Sequence, residues 1–171
     1  DVPAQLLLGA DVAASVLDEA IDRATVAWLA HGVGSMDACL EVCREYVNTR
    51  QQFGQPLGKF QALQHLLADM FVSVQESHSI LFQALAQIDN ADIAVRQRAV
   101  SAAKIVIGEA LQFVLGQGIQ LHGGYGITDE YAVSHFYKHG LVLEKLLGDS
   151  AVHVQRFIAA GKAASGKALV G

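Results

Sequence analysis

Residues 49–70 read TRQQFGQPLGKFQALQHLLADM, and the punctuation inside this stretch sets the architecture. Gly54, Pro56 and Gly58 crowd together there. Proline removes a backbone donor and clashes with the preceding turn, and glycine carries a large entropy cost, so neither belongs in a helix interior. The stretch therefore separates two longer periodic segments. Before it, one helical pattern runs from about Asp11 to Arg50, with Val16, Ala20, Ala24, Ala27 and Trp28 near helical spacing. Gly32 and Gly34 fall inside that pattern and mark a close crossing or mild bend rather than a stop. After the break, a second helix runs from Phe60 to about Ile88, with Leu63, Leu67, Met70 and Val74 on one face.

Further out, Asp89 and Asn90 form a turn, and Asp92 is an N-cap for a third helix. That helix carries Ala99, Ala103, Val106, Ala110 and Phe113 and closes at Gly123-Gly124. Thr128 or Asp129 caps a fourth helix reaching about Leu147, and Gly148, Asp149 and Ser150 stop it and start the last. Long helices joined by tight turns pack best as an antiparallel bundle. The expected fold is all-α, an up-down bundle of four main helices plus a short C-terminal helix. Residues 1–10 read as an extended lead-in, 11–160 as the bundle domain, and 161–171 as a frayed tail.

Hydrophobic residues make up 52% of the chain and charged residues 17%, which excludes disorder. So apolar a surface is expected to bury part of itself against another domain or another copy. The net charge is −5 with Lys and Arg dispersed, so no basic stripe offers a nucleic-acid or anionic membrane surface. No apolar run of spanning length free of charge is read, and the chain opens on Asp1 without a basic leader, as if joined partway through a longer protein. Cys39 and Cys43 stand one helical turn apart. They read as buried free thiols in a cytoplasmic setting, with a disulfide as the alternative.

Residues 120–131 read QLHGGYGITDEY. With the 49–70 stretch at this separation, they resemble the two signatures of the acyl-CoA dehydrogenase C-terminal domain. The likeness covers almost the whole chain, from about Asp11 to Ala160. The wording LQH, TDEY and LGDS is most similar to bacterial branches of the family, such as the pimeloyl-CoA dehydrogenase small subunits and actinobacterial steroid-catabolic members. The resemblance implies FAD, an acyl-CoA substrate, an electron-transfer acceptor, and at least a dimer or dimer of dimers, of one kind of subunit or two. Fatty-acid or steroid catabolism is the implied setting. A fragment without the family's preceding domains is expected to be inactive and to bind FAD weakly.

Residue by residue, the resemblance assigns Arg50 to the flavin pyrophosphate of a neighbouring subunit. A guanidinium fork suits that anion through paired, charge-assisted hydrogen bonds. Gln52 and Phe53 match positions lining the same cofactor, Gln61 one near its adenosine end, and Gln120, Gly123 and Gly124 its adenine half. Glycine admits close backbone approach to a ligand. Taken alone, Arg50 is equally a cation closing a helix C-terminus, and Gly123-Gly124 a C-cap. The ordered motif pair favours the cofactor.

The family's reaction takes a proton from the acyl α-carbon, which needs a carboxylate of raised pKa in a water-poor pocket. The usual glutamate position falls on Leu147, before Gly148, and leucine takes no proton. The alternative position, in the first helix, falls near Ala24, with Glu19 and Asp22 pointing to other faces. Three explanations stand in order: a subunit needing a catalytically complete partner, a non-standard base with Asp149 nearest, or a misregistered count near Leu147. Glu130 suits a helix start, and Glu144 a solvated face. The backbone N–H of Leu147 remains available to a thioester carbonyl. His135 and His139 have ligand spacing but no accompanying carboxylate or cysteine, so no metal is expected. His122, inside the second motif, reads equally as approaching the flavin or as structural.

Overall fold

The computed structural model describes residue 3 and residues 13–168. Five helices follow in order: α1 (Ala13–Thr49), α2 (Gln61–Gln87), α3 (Ile93–His122), α4 (Ala132–Lys145) and α5 (Ser150–Ala168). Between α1 and α2 lies a small hairpin of β1 (Gln51–Gln52) and β2 (Gln55–Pro56), paired antiparallel with Gln51 opposite Pro56 and Gln52 opposite Gln55. The lead-in, apart from Pro3, lies outside the described residues. α5 continues through Ala168, past the point where fraying is expected, and its 19 residues exceed the 14 of α4.

The bundle is organised around α3, which packs against all four other helices. Val100, Ala103, Ile107, Leu111, Val114 and Leu115 are all but fully buried there. α3 and its following turn, Ile93–Ile127, are long and apolar enough to cross a membrane by length and composition, and 56% of the most apolar window is buried inside the bundle. Its N-terminus is built as expected: the Asp92 carboxylate accepts from Ala94 N–H at 2.9 Å. At the other end Gly123 takes a φ of +57°, a value costly for residues with a Cβ, and closes the helix with its N–H on Gln120 O.

α1 runs through Gly32 and Gly34 without interruption. A Cβ at Gly32 would lie 3.3 Å from Leu111 Cδ1, so this glycine marks the expected close crossing. The residues whose spacing marks α1 in the sequence are not the ones that form its packed face. Val26, Leu29, Val33, Met36, Cys39, Cys43 and Val47 turn inward, a three-and-four spacing. Val16 and Trp28 lie on the outer side, 60% and 42% exposed. Both cysteines are free and fully buried.

The start of α4 is a second correction. Thr128 Oγ1 donates back to Tyr125 O at 2.9 Å, which closes a 3-10 turn over Gly123–Ile127 instead of capping the helix. Tyr131 holds the N-cap position, and α4 ends at Lys145, before Leu147.

Candidate functional site

The end of α1 and the end of α3 meet. Arg50 N–H donates to Tyr46 O at 2.8 Å, and Arg50 O accepts from Leu57 N–H at 2.9 Å, so its backbone is fixed on both sides while its side chain is exposed. Tyr46, Arg50, His122, Gly124 and Tyr125 together line a pocket of about 390 Å³. The His122 ring is flanked by Tyr46, with centroids 4.2 Å apart, and Tyr131, at 4.9 Å. Tyr125 packs on Tyr131 at 4.5 Å.

Of the residues singled out in the sequence, Arg50 and Gly124 share this pocket. Gln52 and Phe53 sit in the hairpin that follows Arg50, Gln61 opens α2, Gln120 lies in the last turn of α3, and Gly123 caps it. These five lie outside the pocket lining. Phe53 and Gly54 both have positive φ, +53° and +82°, as a two-residue hairpin turn requires. For phenylalanine that conformation costs about 1–2 kcal/mol. It leaves the ring 89% exposed and edge-on to Phe60 at 6.1 Å. Tyr46 and Tyr125 went unremarked in the sequence, although Tyr46 stands one turn before Arg50 and so shares its face.

The pocket residues fit a dinucleotide. An exposed guanidinium can fork a pyrophosphate. Nothing lies within 4 Å of where a Cβ of Gly124 would stand, so backbone there is open to a ligand. Beside them, His122 is 4% exposed and its Nε2 has no hydrogen-bond partner among the described residues.

The second region is the α4–α5 turn. Leu147 has a φ of +60°, is partly buried, and its carbonyl accepts from His153 Nε2 at 3.1 Å. Asp149 is occupied as the cap of α5: its carboxylate accepts from Val152 N–H at 3.0 Å and pairs with Lys145 at 3.3 Å. The Val152 amide, and then Lys145, hold its carboxyl below the ordinary range, the reverse of what a base needs. Glu144 is not on a solvated face but 3% exposed, accepting from Ser150 N–H at 3.2 Å and paired with Lys145 at 2.9 Å. Burial pushes its carboxyl up, and the Lys145 ammonium and Ser150 amide more than reverse this. In α1, Asp22 is fully buried against Arg96 and Arg156, and Glu19 pairs with Arg23, both away from Ala24.

His135 donates from Nε2 to Asp129 O at 2.8 Å, while His139 faces His31 with 3.4 Å between ring nitrogens. No group of three or more metal-ligating side chains occurs among the described residues.

Residues 9–162 match the model of the acyl-CoA dehydrogenase C-terminal domain. The chain belongs to the acyl-CoA dehydrogenase family. It is 34% identical over 121 residues to acyl-CoA dehydrogenase IpdE2 of Mycobacterium tuberculosis, covering 70% of this chain and 36% of that relative. Among solved structures, a glutaryl-coenzyme A dehydrogenase in complex with glutaryl-CoA superposes with a TM-score of 0.84 at 27% identity, covering 95% of this chain and 41% of that one. An FAD-dependent dehydrogenase superposes with a TM-score of 0.75 at 30% identity, covering 80% and 36%. The chain thus spans about two fifths or less of the length of these proteins.

Proposed function

We propose that this chain is the C-terminal domain, residues 11–160, of a FAD-dependent acyl-CoA dehydrogenase, and that it lends cofactor contacts across a subunit interface. The observation that carries this is the pocket joining Arg50 to Gly124 with an orphaned His122 nitrogen beside them. FAD, when bound, supplies the acceptor for the β-hydrogen, which leaves the acyl group as hydride while a carboxylate takes the α-proton. In this chain Arg50 neutralises and orients the pyrophosphate, and Gly124 admits it to the backbone. Gln52, Phe53, Gln61, Gln120 and Gly123 flank the cofactor from the hairpin, the start of α2 and the end of α3. The partners are an acyl-CoA thioester from fatty-acid or steroid breakdown, further subunits in a dimer or dimer of dimers, and an electron acceptor. The two buried free thiols support a reducing, cytoplasmic setting.

The turn at Leu147 favours a second reading within the same fold. A leucine stands at the position of the base, and the carboxylates of Asp149 and Glu144 are engaged by amides and Lys145. This supports a subunit that retains the flavin pocket and the Leu147 N–H but takes the proton-accepting carboxylate from a complete partner in a mixed oligomer.

Anaerobic titration of the full-length protein with acyl-CoA, watching the flavin visible band, tests both. Bleaching by the protein alone assigns it the whole reaction. A bound flavin that bleaches only after a partner subunit is added assigns it the second role. Full-length protein that takes up no flavin overturns both.

A further inference from the structure

His122 has a job within this pocket that its burial alone does not explain. Its Nδ1 stands 2.8 Å from Gly118 O, and a carbonyl only accepts, so Nδ1 carries the proton. In the neutral ring Nε2 is then a bare lone pair. The ring lies between Tyr46 of α1 and Tyr131 at the start of α4, and it shares its pocket with Arg50 and with Tyr125 of the 3-10 turn. None hydrogen-bonds to Nε2, which is buried. Leaving a buried acceptor unmet is costly, so this nitrogen calls for a donor that the described residues do not supply. Arg50 answers the ligand's negative charge, so the pocket already has its cation. What His122 Nε2 lacks is a donor.

We propose that His122 Nε2 accepts a hydrogen bond from a hydroxyl or amino group of the nucleotide whose pyrophosphate Arg50 holds, making His122 a neutral positioning residue that reads the sugar or base and not the phosphate. This rests on the flavin reading of the pocket. The aromatic faces of Tyr46 and Tyr131 hold the ring in place for that contact, and burial lowers the imidazole pKa, which keeps it neutral at physiological pH.

The test is FAD binding to the flavin-stripped, full-length protein by calorimetry at pH 7.5, in two buffers of different ionisation enthalpy. Binding with no proton uptake is expected. Uptake of one proton linked to His122, absent in His122→Phe, would show a charged imidazole donating to phosphate and overturn the proposal. His122→Phe is expected to weaken FAD binding about tenfold, the usual scale for one unmet buried hydrogen bond, and His122→Gln, which keeps an acceptor, to recover part of it. Equal affinity in wild type and His122→Phe would also overturn it. Should His122→Phe misfold, His122→Gln carries the same comparison: FAD affinity no better than in a His122→Ala control would overturn the proposal. Arg50→Met distinguishes the underlying reading: unchanged FAD affinity there removes the pocket from the flavin site altogether, whatever His122 does.

Discussion

His153 Nε2 donates to the carbonyl oxygen of Leu147 across 3.1 Å, spanning the turn between α4 and α5. The direction fixes the tautomer: with the proton on Nε2, the bare Nδ1 accepts from the Ser101 hydroxyl at 3.2 Å. A neutral, 1% exposed imidazole therefore ties the positive-φ residue Leu147 to α3. Burial depresses the pKa of this ring and of His122. The unfolded chain then takes up protons before the folded one. The stabilisation is complete above the ordinary imidazole range and is lost as pH falls through the folded-state values. The unfolding free energy from urea titrations, and with it the midpoint, is expected to fall between pH 7.5 and 5.5, the free energy by up to about 1.4 kcal/mol per pH unit for each ring. The slope should be shallower in His153→Gln, and an unchanged midpoint over this range would show that neither ring is held neutral.

Asp22 fastens three helices at once. Its carboxylate, fully buried in α1, meets Arg96 Nε of α3 at 3.0 Å and Arg156 Nη1 of α5 at 2.5 Å. Asp22→Ala strands the buried Arg96 guanidinium, and loss of about 3–5 kcal/mol is expected from chemical denaturation. Arg156→Ala should cost less, because Arg96 still neutralises Asp22.

Asp149 separates capping from catalysis. Asp149→Asn keeps an acceptor for the Val152 amide and should leave both the melting temperature and the rate of flavin reduction close to wild type. Asp149→Ala should lower the melting temperature by about 2–4 °C. A hundredfold slower reduction in the asparagine variant would make Asp149 the missing base.

Lys104 is a buried cation answering a helix end. Only 1% exposed, its Nζ donates to Leu143 O at 2.6 Å and Leu146 O at 3.0 Å, carbonyls that α4 leaves unpaired at its C-terminus. Lys104→Met should cost about 2–3 kcal/mol. Faster amide exchange is expected first in residues 145–149, and uniform protection there would place the loss elsewhere.

Breaks and caps were legible in the sequence because they are local. Gly54 and Pro56 fall in the hairpin that breaks the α-helix, Gly58 in the short 3-10 turn after it, and Asp92 caps α3 through its own side chain. The packed side of α1 was not, since a helix of 37 residues with apolar side chains on two sides has two eligible stripes. Periodicity finds a stripe but not its cover: Ala24 and Trp28 belong to one, Val26, Leu29 and Val33 to the other. The start of α4 departs from its sequence signal for a different reason. Thr128 has a capping side chain, but its hydroxyl is spent on Tyr125 O, a choice made by the 3-10 turn before it. At the candidate site, the two motifs put Arg50 and Gly124 forward, and both line one pocket. Tyr46 and Tyr125 join them only once the ends of α1 and α3 meet.

The outer side of α1 carries Trp28, the chain's single tryptophan, 42% exposed and edge-on to His31 at 6.1 Å. Its indole emission is therefore a built-in optical reporter for one surface. Long-wavelength fluorescence open to iodide quenching marks that side wet. A blue shift with loss of quenching signals its burial by whatever packs there, with no label to attach.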